Sequence, residues 1–350
     1  MVDEQFITNT ISITKMKTPL ATVLMPVYNV GAYLKEAIDS ILQQTYSDFI
    51  FLIVDDCSTD NTEEIVASYK DSRIKYLKNE RNLGLADALN VGVDAINTKY
   101  IIRMDGDDIS VPHRFETLIN YMETHPEIGV YSSRLERFGT DFSVWKYPLA
   151  NDDIKAHLLF GPSIAHAPAI IRTSVMKENK IFYRNDFKHV EDYDLWFRLK
   201  DVTKFANTDE VLYKYRVATH NITVFYSDDI VDRKKQFYSW VLTSFGINFT
   251  EEELEMHIAL ANNKRFPKEI NVAKYRKWFD KIISHNKQTN YFEQAALLRQ
   301  VENRWEKLFF ILSEKEIKKV FTYFRISKGV KSTQMIYLLK IITNKYILRR

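Results

Sequence analysis

The sequence predicts an α/β fold: a mainly parallel sheet sandwiched by helices, followed by a helical C-terminal region. Three observations carry that expectation. From Pro19 onward, short apolar runs alternate with segments of helical spacing, the pattern of parallel strands joined by crossover helices. Polar residues cluster immediately after each apolar run. Beyond about residue 225 the strand-like runs cease and Gly and Pro become scarce.

The first strand is read from "LATVLMPVYN", which ends in Tyr28 and Asn29. "GAYLKEAIDSILQQ" follows, with Leu34, Ala37, Ile38, Ile41 and Leu42 on one helical face. "FIFLIVDDCSTD" supplies the second strand, apolar and then abruptly acidic at Asp55 and Asp56. Asp60 opens "DNTE", a capping-box pattern that starts a helix through Tyr69. "RIKYLKNERN" is the third strand, "GLADALNVGVDAI" the next helix and "KYIIRMDGDD" the fourth strand. Tyr28–Asn29, Asp55–Asp56, Asn79–Arg81 and Asp105–Asp108 thus each stand just past a strand's carboxyl end. In an open α/β sheet those ends share one edge, where ligands bind.

Further on, Thr250-x-x-Glu253 and Ser313-x-x-Glu316 are capping boxes, and "QAALLRQVENRWEKLFFIL" is amphipathic. The expected organisation is an extension over residues 1–18, an α/β unit over 19–227, and a helical region with a basic tail over 228–350.

Hydrophobic residues at 45% and charged residues at 27% are values of a folded chain, not a disordered one. The single cysteine, Cys57, excludes an internal disulfide and fits a reducing cytosol. No uncharged run reaches membrane-spanning length, and "MVDEQFITNTISITK" lacks the apolar stretch of a signal peptide. The net charge of +3 divides into +8 over residues 314–350, with ten Lys/Arg against two Glu, and −5 elsewhere. An acidic body argues against nucleic-acid binding. The basic, apolar-rich tail fits a helix at a membrane surface, or equally a terminal helix docked on the fold.

The densest charge is "RMDGDD", residues 103–108. On an extended segment Arg103, Asp105 and Asp107 share a face, with Asp108 opposite or turned by Gly106. Two carboxylates on one face suit Mg²⁺ or Mn²⁺, and a bound cation would compensate the clustered charge. An Asp-rich turn closed by Asx bonds is the plainer alternative. Tyr28 and Asp56 combine an aromatic face with a hydrogen-bonding carboxylate, as a nucleobase needs; a turn tyrosine and an N-cap aspartate would look the same. In "HVEDYDLWFRLK", Asp192, Leu195, Trp196 and Leu199 form one helical stripe, with Asp192 facing inward. Glu191, Asp194 and Arg198 form a second stripe that reads as solvated.

"VLMPVYN", "SILQQTYSDFIFLIVDDCSTDNT", "NLGLADALNVG", "YIIRMDGDD" and "EDYDLWFRL", in this order over residues 19–225, resemble glycosyltransferase family 2, inverting enzymes of the GT-A (Rossmann-like) fold. The resemblance implies transfer of a hexosyl or N-acetylhexosaminyl group from a nucleotide sugar, usually a UDP-sugar, to a glycan or lipid-linked glycan. The usual setting is bacterial surface-polysaccharide synthesis, in the cytoplasm or on the inner face of the cytoplasmic membrane. It implies donor contacts at Pro26, Tyr28, Asp56, Arg81, Arg103 and Asp105, and a Mn²⁺ or Mg²⁺ held by Asp107 with Asp105. The second acid of "ED", Asp192, becomes the general base, with Glu191 and Trp196 toward the acceptor. Related enzymes often carry a histidine two residues after the arginine of a "YR" pair; Ala218 stands there, and His220 is the substitute candidate on the metal side. His166 in "SIAHAP" receives no role. A metal-dependent nucleotidyltransferase and an inert glycan- or membrane-binding scaffold are the competing readings; a Gly-rich phosphate loop after the first strand is absent.

Overall fold

The structure, a computed structural model, describes residues 18–217, 227–261, 266–327 and 329–343. Its first half follows the expected alternation. Strands β1 (Ala21–Val27), β2 (Phe49–Asp55), β3 (Ile74–Lys78) and β4 (Tyr100–Arg103) are joined by helices α1 (Gly31–Leu42), α2 (Thr62–Ser68) and α3 (Leu85–Ala95). All four strands are parallel, with Val27 opposite Asp55 and Leu24 opposite Arg103. β1 lies between β2 and β4, so the strand order reverses there and the carboxyl ends open a crevice.

Beyond β4 the sheet becomes mixed. Strands β5 (Ile109–Ser110), β6 (Ile128–Gly139), β7 (Ser143–Trp145), β8 (Ile170–Arg172) and β9 (Lys204–Val217) extend it in the order β3-β2-β1-β4-β8-β6-β9-β5, with β7 on β6. β8 runs antiparallel to β4 and β6, whereas β6 and β9 are parallel with irregular register.

Side chains of β1 alternate between two cores. Val23 and Met25 pack with Leu34, Phe51, Ile53 and Phe115 on one face. Leu24 packs with Leu52, Val54 and Leu89 on the other. Gly92 lets α3 approach β1: a Cβ there would lie 2.2 Å from Leu24 Cδ1.

The remaining helices are α4 (Arg114–Thr124), α5 (Asn151–His157), α6 (Thr173–Lys177), α7 (Glu191–Leu199), α8 (Ser227–Phe245), α9 (Glu251–Ala261), α10 (Val272–Thr289), α11 (Gln294–Lys315), α12 (Ile317–Ser327) and α13 (Ser332–Ile342). The second core continues from Leu24 through Trp196 of α7 to Phe237, Trp278 and Phe309, so the C-terminal helices share it with the sheet.

Capping was partly as expected. Thr250 N donates to Glu253 Oε2 at 2.8 Å and Glu253 N to Thr250 Oγ1 at 3.2 Å, a reciprocal box. Ser313 instead lies inside α11, its Oγ donating to Phe309 O at 2.9 Å, and Glu316 accepts from Ile270 N. The amphipathic pattern simply continues past the box. Asp60 likewise does not form a box with Glu63: it accepts from Gly31 N and Thr62 N, bridging two loops, while Glu63 pairs with Lys78.

Candidate active site

The loops after β1 and β2 are wired to each other. Asn29 and Cys57 both take left-handed backbone, with φ of 51° and 66°, an uncommon conformation that clusters at functional sites. Asn29 N donates to Ser58 Oγ, and Asn29 Oδ1 accepts from Thr59 N at 2.8 Å. Buried Asp55 accepts from Ser58 N and from the Tyr76 hydroxyl.

Asp56, expected to hydrogen-bond a nucleobase, is instead bonded by the chain's own donors. It is 4% exposed, and takes Asn79 Nδ2 and Leu83 N on Oδ1 and Gly84 N on Oδ2. Its structural work is to pin the loop before α3. Tyr28, 48% exposed, directly follows β1 at the strand-end edge, and Arg81 is exposed on the pinned loop. Pro26 is buried within β1 and offers no side-chain surface for a contact.

The turn after β4 carries counter-ions of its own, beside the bound cation that was expected to compensate it. Arg103, 2% exposed, pairs with Asp105 at 2.7 Å, so it is a buried partner of the acid and not an open donor contact. Arg114 holds the Arg103 and Ala167 carbonyls. Tyr213 accepts from Asp105 N at 3.1 Å. Arg216 N donates to Asp108 Oδ1 and Arg216 Nε to Asp107 O, both at 2.7 Å. Compensation is still incomplete. Burial, then the Asp105 charge, pushes Asp107 up to about 6. The same causes hold Asp108 well above the carboxylate range, and its Oδ2 is buried without a partner.

Among the described residues no three His, Cys, Asp or Glu converge as a cation cage. Asp105 and Asp107 nonetheless form a partly exposed oxygen pair whose repulsion a dication would relieve. That donor set fits Mg²⁺ or Mn²⁺, which take remaining ligands from phosphate and water.

The first turn of α7 lies within reach of the Arg103 charge, which acts on both Glu191 and Asp192. Burial, then Asp192, pushes Glu191 up to about 7. Burial also raises Asp192, whose Oδ1 accepts from Tyr193 N at 2.7 Å. The Tyr183 phenol joins the two acidic groups: burial raises it, Arg103 pulls it down, and Asp192, Glu191 and Asp105 each push it up. His166 Nε2 lies 2.8 Å from the Tyr183 hydroxyl, and burial and Arg103 keep its imidazole neutral. Tyr147 is raised by burial and by Asp192.

Two sequence readings of α7 change. Asp194, read as solvated, has no exposed surface and binds both Arg184 and Arg198. Trp196 is a core side chain set edge-on to His166, not an open wall for a sugar. Ala218 and His220 lie outside the described residues. Tyr213 and Tyr183 were not singled out by the sequence, and Arg216 entered only as the arginine of the "YR" pair, without a role. Tyr213 and Arg216 stand in the strand-like "YKYR" of β9, whereas nothing marks Tyr183.

The family model for glycosyl transferase family 2 matches residues 22–195. An uncharacterized glycosyltransferase of Haemophilus influenzae is 32% identical over 249 residues, spanning 66% of this chain and 76% of that protein. The Escherichia coli UDP-Glc:alpha-D-GlcNAc-diphosphoundecaprenol beta-1,3-glucosyltransferase WfgD is 30% identical over 220 residues, 62% of this chain and 84% of that one. Staphylococcus aureus TarS, solved with UDP-GlcNAc, superposes with a TM-score of 0.57 over 88% of this chain and 91% of its own, at 16% identity. That likeness concerns the fold, which is the GT-A type expected. Matched by the family model and by a relative of this identity and coverage, the chain belongs to glycosyl transferase family 2.

Proposed function

We propose that the protein transfers a sugar, with inversion, from a UDP-sugar to a hydroxyl of a glycan or lipid-linked glycan in bacterial surface-polysaccharide synthesis. The observation that supports this reading is that the Arg103–Asp105 pair and Asp192 all lie within electrostatic reach of the Tyr183 phenol. The UDP-sugar named for WfgD and the UDP-GlcNAc held by TarS support the choice of donor.

Tyr28 is read as the stacking face for the base, with Arg81 beside it. Asp105 and Asp107 would hold Mg²⁺ or Mn²⁺, which when bound neutralises charge on the departing diphosphate. Asp192 takes the acceptor hydroxyl proton while that oxygen bonds to the anomeric carbon and the bond to the nucleoside diphosphate breaks. Burial lifts its pKa toward the working pH and makes it a stronger base than a solvated aspartate. Neutral His166 and Tyr183 position the groups between the acids. Residues 19–227 would supply this chemistry.

The helical region would rest on the inner face of the membrane. Phe321 (75% exposed), Ile336 and Leu339 (each 58%) stand on α12 and α13 among Lys318, Lys319, Arg325 and Lys340, which favours that placement. Among the described residues no helix is long and apolar enough to cross a membrane.

A panel of nucleotide sugars incubated with Mn²⁺ and acceptor tests the reading. Release of nucleoside diphosphate is expected, lost in Asp107→Ala and in Asp192→Asn with the fold retained. Release of pyrophosphate would establish nucleotidyl transfer instead, and full activity in both variants would end the proposal.

A further inference from the structure

Away from the strand-end crevice, α5 and α11 face each other across a cleft of about 520 Å³, lined in part by Leu149, Arg299, Gln300, Arg304, Lys307 and Phe310. Arg304 is 6% exposed, and among the described residues no carboxylate pairs with it. Its Nη1 donates to Gln300 O and Oε1, at 3.1 and 3.2 Å, while its Nε is buried without a partner. Burial draws the guanidinium down to about 10, so it remains charged at neutral pH.

The Phe160 ring lies 4.0 Å from the guanidinium carbon. A cation–π contact offsets only part of the cost of burying an unpaired charge. The two acids that line the cleft are each held in an ion pair: Asp153 with Arg299 at 2.8 Å and Glu306 with Lys331 at 3.0 Å. Lys307, exposed at the rim, has no ion pair among the described residues, and partial burial of its ammonium, then the Arg304 charge, lowers its pKa. His157 Nδ1 donates to Gln300 Oε1 at 2.9 Å, which turns the amide nitrogen of Gln300 into a further donor at the cleft. Arg304, Lys307 and the Gln300 amide nitrogen are thus donors at the cleft with no carboxylate partner among the described residues, and two of them carry positive charge.

We propose that this cleft binds a phosphate or diphosphate group through Arg304, Lys307 and Gln300, with Leu149 and Phe310 flanking an apolar portion of the ligand. The site is separate from the donor crevice but coupled to it mechanically. Tyr193, next to Asp192, donates its hydroxyl to Leu158 O at the end of α5, at 2.7 Å. The phosphoryl group could belong to a soluble phosphate or to an anionic lipid headgroup.

Calorimetric titration of the full chain with inorganic pyrophosphate, in EDTA, tests the site. Binding is expected in the wild type and in Asp107→Ala. Lys307→Glu, an exposed position, should weaken it by about tenfold or more. Arg304→Met should weaken it at least as far while the melting temperature holds or rises, because an unpaired buried charge is removed. Cosedimentation with phosphatidylglycerol vesicles, against phosphatidylcholine, separates the sources. Retention lost in Lys307→Glu assigns a lipid headgroup; retention that this variant leaves unchanged assigns a soluble phosphate. No pyrophosphate binding by the wild type, or equal binding by both cleft variants, overturns the proposal.

Discussion

Arg103 and Asp105 form an ion pair of 2.7 Å in which the guanidinium is sealed from water and the carboxylate is 29% exposed. The pair anchors the acidic turn to the buried end of β4 while leaving one face of the acid open to the crevice. Arg103→Gln leaves Asp105 without its partner. A loss of about 3 kcal/mol is expected, at the low end for a broken buried pair because Asp105 reaches water. The urea midpoint reads it, and Arg103→Lys should recover only part, since a point charge cannot reproduce the planar fork.

Asp192→Asn keeps the shape of the first turn of α7 but removes the proton acceptor. Transfer should fall by about 10²–10⁴-fold with the melting temperature nearly unchanged. The active form is the carboxylate, so the wild-type rate should rise with pH through an acidic limb. Because burial raises Asp192 above its ordinary value of 3.8, that limb lies higher than for a solvated aspartate. An identical pH profile in the two proteins would remove Asp192 from the base role.

Glu191 makes a separate prediction about stability. Its carboxyl sits at about 7 in the folded chain against an ordinary 4.5, so folding favours the protonated form. The stabilisation is fully present below pH 4.5 and is lost as pH rises through 7. Glu191→Gln abolishes the dependence. At pH 8 the variant should be more stable than the wild type by about 2 kcal/mol, discounted for partial exposure, with no advantage at pH 4. Thermal melts across that range check it.

The parts legible in the sequence were those where burial leaves a periodic trace. β1 and β2 are covered on both faces, so each reads as an apolar run stopped by a polar cluster at the crevice. β5, β7 and β8 span two or three residues each and owe their pairing to distant partners, which no local pattern records. The acids at 105, 107 and 192 were visible by phase. Their resident partners were not: Arg216 arrives from β9, more than a hundred positions away, and Tyr183 from an irregular segment. Asp56 shows the same limit, since composition gives a carboxylate but not the donors that occupy it.

Asp194 illustrates the point within one helix. An i,i+4 pair with Arg198 ordinarily marks a solvated face worth a few tenths of a kcal/mol. Here Arg184 adds a second guanidinium and packing removes the carboxylate from water altogether. Asp194→Ala strands two arginines, and a loss of about 3–5 kcal/mol is expected. A loss within the range of surface pairs would return the stripe to solvent.

Gly106 separates the two acids assigned to the metal, and its neighbours leave no room for a side chain. A Cβ there would lie 2.8 Å from Val27 Cγ1 and 3.1 Å from Val30 Cγ2. Valine is stiff about χ1, so neither methyl can swing aside freely. Gly106→Ala must therefore lift the turn off the end of β1 and change how Asp105 and Asp107 face each other. Overpacking of this kind costs about 1–3 kcal/mol. The rate of transfer should fall further than that loss of folded protein explains, and the Mn²⁺ concentration needed for half-maximal rate should rise. Gly329→Ala is the control: nothing lies within 4 Å of the added carbon, and rate and stability should both hold. If Gly106→Ala lost stability alone, with its Mn²⁺ requirement unchanged, the turn would be a packing element and not the frame of a metal site.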